Sequence, residues 1–255
     1  MLFLPLLLSL APALPARADF KEVRKQYVDL AAKQDKEAVV ALWKTNPGIV
    51  LPVIDADLEG SLKEQEKSAA PDMEKVKTMH ARALFGAECA TIATGHPILA
   101  DYASSFVGWN SEQKRQFRDG QKVYRASAEA LKKGDKPAAL AKGRECVERA
   151  SALGDWWGTA MGYDAQGRAA QALGGIDDAL TALSQARLLN HDLGLCDDEL
   201  EELVLLTDLC SAAERWQRGL AFARDGQALA RALGKTELAT ALAAKEASLR
   251  AKLAG

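Results

Sequence analysis

The pentapeptides SALGD, HDLGL and RALGK occupy residues 151–155, 191–195 and 231–235, so a Leu-Gly pair returns every 40 residues. Further columns keep the same step. Leu140, Leu180 and Leu220 align, preceded by the small Ala139, Ala179 and Gly219, and a second small column holds Cys146, Ala186 and Gly226. A fixed period of this length marks an array of stacked supersecondary units rather than one globular core.

Each unit reads as two helices. From Val123 to Lys133, Gly158 to Leu173 and Leu200 to Ala213, helix-forming residues run without proline to a break at Gly134-Asp135, Gly174-Gly175 or Glu214-Arg215. A second helix follows, and in the middle unit it carries Ala179, Leu180, Leu183 and Ala186 as one narrow apolar stripe. The Leu-Gly pair then closes the unit, with glycine taking the left-handed conformation at the helix end and leucine filling the gap between helices. Pro137 suits the first turn of a second helix, where an amide hydrogen is not needed. A hairpin of two helices of about 15 residues, roughly 22 Å long, cannot bury its apolar face alone, so stacked neighbours must supply the core.

The stretch GTAMGYDAQGRAAQALGGIDDALTALSQARLLNHDLG, residues 158–194, resembles a tetratricopeptide repeat. Gly167 stands at the small position of the first helix, Ala179 and Ala186 at the later small positions, and Tyr163 at the first aromatic site. The 40-residue step is similar to the longer variant of kinesin light chains and bacterial regulatory proteins. The flanking units are degenerate, with Ser127 and Thr207 where glycine is usual and Cys146 and Cys210 at small positions. The resemblance spans residues 116–253. It implies an all-α, right-handed superhelical solenoid of antiparallel helix hairpins, with three repeats and a C-terminal cap helix over residues 116–255.

The resemblance also implies a groove lined by first-helix positions, which here include Tyr124, Asp164, Arg168, Glu201 and Asp208. The Lys and Asn pattern by which chaperone-binding members clamp a C-terminal carboxylate is missing. The strip suits a protein or peptide segment of some basic character, while an Asp164–Arg168 pair on an ordinary solvated face is the competing reading. Trp156 and Trp157 open a first helix about 100° apart, so both cannot be buried on one face. Packing against the inter-repeat loop and an aromatic contact patch are the two readings of the pair.

Residues 19–115 read as helical but less regular. DFKEVRKQYVDLAAKQDKEAVVALWKTNP suggests a hairpin broken near Gln34-Asp35, with Val39, Leu42 and Trp43 facing inwards. A charged helix then ends before Pro71, and a further hairpin turns at Gly95-His96-Pro97. Ser111 is a candidate N-cap for the helix after Gly108-Trp109-Asn110. GIVLPVI, residues 48–54, is the main strand candidate in a chain that otherwise lacks strand periodicity.

The first 18 residues, MLFLPLLLSLAPALPARA, carry no charge from Leu2 to Ala16 and end in the small-x-small pattern of a secretory leader. Cleavage after Ala18 and a secreted or periplasmic location are expected. Pro5, Pro12 and Pro15 interrupt the run and no basic residue precedes it, which leaves a misassigned start codon or a membrane tether as the alternatives. An uninterrupted spanning helix would need about 20 apolar residues, so no membrane span is expected after cleavage.

The chemistry implied is binding. Net charge is −2, from 33 basic and 35 acidic residues, which does not favour nucleic acid. KEQEK and EQKRQFR mix signs as solvated helix faces do. His80, His96 and His191 lack partners at metal-site spacing, and no nucleophile elbow, phosphate loop or dinucleotide fingerprint is present. No catalytic residue, metal or cofactor is therefore assigned. Asp177-Asp178 and Asp197-Asp198-Glu199 open helices, where acids favour the positive end of the dipole. Cys146 and Cys210 read as buried free thiols, and Cys89 and Cys196 stay open. Cys196 and Cys210 on one helix would be about 21 Å apart, too far for a disulfide. The function expected is an exported, non-catalytic protein-interaction scaffold. A sensor module for a small peptide and an accessory subunit of an enzyme complex are the alternatives.

Overall fold

A computed structural model of the chain describes residues 19–67 and 69–254. Residues 1–18, where a secretory leader is expected, lie outside them. Among the described residues there are twelve α-helices and no strand. The irregular part holds α1 (Phe20–Ala32), α2 (Lys36–Thr45), a 3-10 turn (Pro47–Ile49), α3 (Val50–Glu66), α4 (Met73–Thr94) and α5 (Ile98–Gly108). The periodic part pairs α6 (Ser111–Lys132) with α7 (Lys136–Leu153), α8 (Trp156–Ala172) with α9 (Ile176–Asp192), and α10 (Cys196–Ala212) with α11 (Trp216–Ala232). The last helix, α12 (Thr236–Ala254), packs on α11. From α6 onward each helix packs on the next, and α6 also reaches α8, as in a helical solenoid.

The joints are built alike. Gly134, Gly154, Gly174, Gly194 and Gly234 all have φ between +68° and +83°, so a left-handed residue closes helices within hairpins as well as between them. The residue after each glycine donates its amide to the carbonyl five residues back, as in Asp135 to Ala130, Asp155 to Ala150 and Leu195 to Asn190. These bonds satisfy carbonyls that the helix end would leave orphaned. At the joint between α10 and α11 Glu214 takes the same conformation at φ +57°, at a steric cost glycine avoids. Leu153 and Leu193 fill the gaps between units as expected. Leu233 does not, being 36 % exposed at the joint before α12.

The small-residue columns have a physical reason. Ala139, Ala179 and Ala186 are sealed, and Gly219 and Gly226 face side chains at contact distance, so larger residues there would push neighbouring helices apart.

GIVLPVI is helical. Val50, Leu51, Val53 and Ile54 are all buried at the start of α3, so an apolar run that suits a buried strand equally suits a buried helix. Pro52 is tolerated because the first-turn amides have no intrahelical partner. The cap of α6 is Asn110 rather than Ser111: its side chain accepts from the Gln113 amide while the Gln113 side chain accepts from the Asn110 amide. This reciprocal box satisfies two orphan donors, which places Ser111 inside the helix.

The irregular part and the array share one core. Tyr27, Trp43, Tyr102 and Phe106 are sealed within a cluster that also takes in Leu153, Ala160 and Leu193. Phe106, Trp109 and Phe117 stack with centroids 4.5–5.4 Å apart, and Trp109 Nε1 donates to the Leu153 carbonyl at 2.9 Å. All four cysteines are free; Cys89, Cys146 and Cys210 are buried and Cys196 is partly exposed.

Candidate functional site: a two-part cleft

The first helices of the repeats, α6, α8 and α10, line a cleft with two adjoining compartments. Tyr124, Trp157 and Met161 belong to both and form the partition between them.

The deeper compartment, about 370 Å³, lies where the irregular part meets the array. Phe117, Ala150, Leu153 and Trp157 give it an apolar wall, while Asp55, Glu59 and Asp155 bring carboxyl groups to it and Arg125 and Arg149 bring guanidinium groups. Asp155 is in place because it caps α8, accepting from the Gly158 amide at 2.8 Å. The core closes over it to 6 % exposure, and this burial pushes its carboxyl up to about 7 against the pull of the Gly158 amide. Asp55 accepts from Tyr102 Oη at 2.7 Å, and burial again raises it, to about 6. Glu59 is neutralised by Arg118 at 2.9 Å and bonded by Gln121.

The second compartment, about 420 Å³, gathers Asp164, Asp198, Glu201 and Glu202 around a single lining cation, Arg168. Arg168 Nε is bonded to both oxygens of Asp164, at 2.7 and 2.9 Å, and its Nη2 lies 3.4 Å from Glu201. Glu202 is 2 % exposed; its Oε1 accepts from Asn190 Nδ2 at 2.8 Å and its Oε2 has no partner. Burial pushes this carboxyl up to about 8, with Asp164 and Asp198 adding to the shift. Burial raises Asp164 and Asp198 as well.

Of the residues singled out by sequence, the cleft brings together Tyr124, Trp157, Asp164, Arg168 and Glu201. Trp156 and Trp157 both pack against the shared core, but Trp156 lines neither compartment. Asp208 lines neither compartment and pairs with Lys245 on α12. Sequence reasoning missed Asp55, Tyr102, Asp155, Asn190 and Glu202. Asp155 could be read as an N-cap from its place before Trp156, but its burial depends on α3 and α5. No three His, Cys, Asp or Glu side chains among the described residues are arranged to hold a metal ion. No helix among them is long and apolar enough to cross a membrane.

No protein-family model matches the chain, and no curated protein does either. Its cleft therefore has to be interpreted from its own residues.

Raised carboxyls have a sign in stability. Below the ordinary aspartate value of 3.8, Asp155 is protonated in both folded and unfolded chains and contributes nothing. Between there and about 7 only the unfolded chain ionises, so folding loses free energy as pH rises, and above about 7 the loss is constant. Asp155→Asn keeps an oxygen for the Gly158 amide and removes the titration. We expect its urea midpoint to fall less than that of the wild type across that window, while His80, lowered by burial, titrates alike in both. Equal falls would mean that Asp155 is ionised in the folded protein.

Proposed function

We propose that the chain is a non-catalytic interaction module, a right-handed solenoid of the tetratricopeptide kind, that holds an extended segment of a partner protein in this cleft. The observation that carries the reading is the continuity of the two compartments across Tyr124, Trp157 and Met161. A segment laid along the first helices would cross that partition, and aromatic side chains at the centre of a contact carry much of its binding energy. The leader supports action outside the cytoplasm, where such a module would meet secreted or periplasmic partners. The apolar wall of the deeper compartment also favours the sensor reading, in which the occupant is a short peptide that ends there.

Selection of random displayed peptides on the full mature chain tests this. Tyr124 is half-buried, so Tyr124→Ala should weaken captured peptides by about tenfold or more with little change in melting temperature. Asp208→Lys, outside both compartments, should leave capture intact. Peptides indifferent to Tyr124→Ala would place binding elsewhere.

A further inference from the structure

The second compartment holds an imbalance that its own residues do not resolve. Four carboxyl groups face one guanidinium, and Asp164 and Glu201 already occupy it. The deepest of the four, Glu202, keeps one oxygen sealed from water without a partner. Buried polar atoms are nearly always bonded, and a sealed carboxyl oxygen without a partner implies either a structural cost or a missing polar group. Tyr124, Leu131 and Met161 line the same compartment and offer apolar and aromatic surface above the acids. An apolar stem with a cationic head matches that arrangement, because long basic side chains lay their methylenes on apolar surface and their charge on acids or aromatic faces.

We propose that this compartment receives a lysine side chain of a basic partner segment, its stem along Tyr124 and Met161 and its ammonium donating to the Glu202 carboxylate, whose sealed Oε2 is brought to the compartment by rotation of the side chain. The inference rests on the reading of the cleft as a segment-binding groove and says which residue of the segment is recognised. A compact ammonium suits the site because it has three donors to share among Glu202 and the flanking carboxylates.

Binding is then coupled to a proton. Empty, Glu202 is protonated at neutral pH, its carboxyl pushed up to about 8. When the ammonium arrives, the O–H proton leaves to solvent and the carboxylate accepts the N–H in its place. The groups that face Glu202 are Asp164 and Arg168 from α8 and Asp198 from its own helix, with Asn190 bonded to it from α9. Arg168 stays charged throughout, so the carboxyls alone release protons. Apparent affinity should rise about tenfold per pH unit below the Glu202 value and level off above it.

Calorimetric titration of the full mature chain with acetylated, amidated hexalysine, at about pH 7 in buffers of different ionisation enthalpy, reads both affinity and protons released. We expect binding with proton release in the wild type and release that vanishes at pH above the Glu202 value. Glu202→Gln, which preserves the shape and an oxygen for Asn190, should bind about tenfold more weakly and release markedly fewer protons. Glu148→Gln, an exposed change on α7, should bind as the wild type does. Binding without proton release in the wild type, equal binding of hexaglutamate, or no hexalysine binding would each overturn the proposal, and these readings need no variant. Butylamine binding as tightly as hexalysine would assign the compartment to a free amine and overturn the partner-segment claim. Peptides without basic residues that depend on Tyr124 would refute the lysine inference while leaving the groove reading intact, whereas absence of any Tyr124-dependent peptide would refute the groove reading itself.

Discussion

Replacing Gly143 with alanine is expected to lower the unfolding free energy by about 3 kcal/mol, at the upper end of the usual cost of overpacking a core. A Cβ on Gly143 of α7 would lie 2.7 Å from the Gln166 amide nitrogen and 2.8 Å from its Cα. The contact is reciprocal. Gly162 of α8 would place its Cβ 2.8 Å from the Val147 amide nitrogen on α7. Both obstacles are backbone, which no rotamer change can move, so relief requires the two helices to part. Parting them would also widen the deeper compartment, because Cys146 and Ala150 of α7 and Trp157, Gly158 and Met161 of α8 line it. Gly120 of α6 is the matched control: a Cβ there meets nothing within 4 Å, and alanine should stabilise the helix by about 1 kcal/mol. Urea unfolding measures both. A Gly143→Ala loss no larger than about 0.5 kcal/mol, the scatter of surface changes, would show that α7 and α8 are not in backbone contact.

What could be read in advance follows from where the constraints are local. Leu-Gly pairs, the joints at Gly134 and Gly174 and the sealed columns of Ala139 and Ala179 were legible because a left-handed joint and a close helix approach admit few residue types. Tyr124, Asp164, Arg168 and Glu201, first-helix positions taken from the tetratricopeptide resemblance, line one compartment because residues at helical spacing share a face. The depth of each position was not legible. Glu201 and Glu202 are neighbours of one kind, yet one is exposed and the other sealed, with Asn190 of α9 bonded to the sealed one. Asp208 shares the face of Glu201 but is claimed by Lys245 of α12, a partner 37 residues away. In the irregular part, α3 read as a charged helix because its Lys and Glu residues dominate its C-terminal half. Eight of its positions are nevertheless buried, among them Asp57.

Asp57 carries the other large expected effect. It is 1 % exposed and is held by Arg82 of α4 in a two-pronged pair, Nε to Oδ2 at 2.7 Å and Nη2 to Oδ1 at 2.6 Å. Arg24 of α1 approaches the same carboxylate at 3.4 Å, so three helices meet on one acid. Arg82→Met should cost about 3 kcal/mol, the low end for breaking a buried pair, because it leaves Asp57 sealed with only the longer contact to Arg24. Asp57→Leu combined with Arg82→Met removes the stranded charge as well, and Arg24, 40 % exposed, can turn to water. Replacing both members of a buried pair by apolar residues is often near neutral, so the double variant should be more stable than Arg82→Met alone. The cycle also bears on the cleft. Asp55 and Glu59, which line the deeper compartment, flank Asp57 at two residues on either side, so the three-helix anchor sets the rotation of α3 that presents them. Strictly additive losses in the double-mutant cycle would mean that Asp57 and Arg82 are not energetically coupled, and the anchor would then have to be sought in the apolar contacts of Ile54 and Leu58 instead.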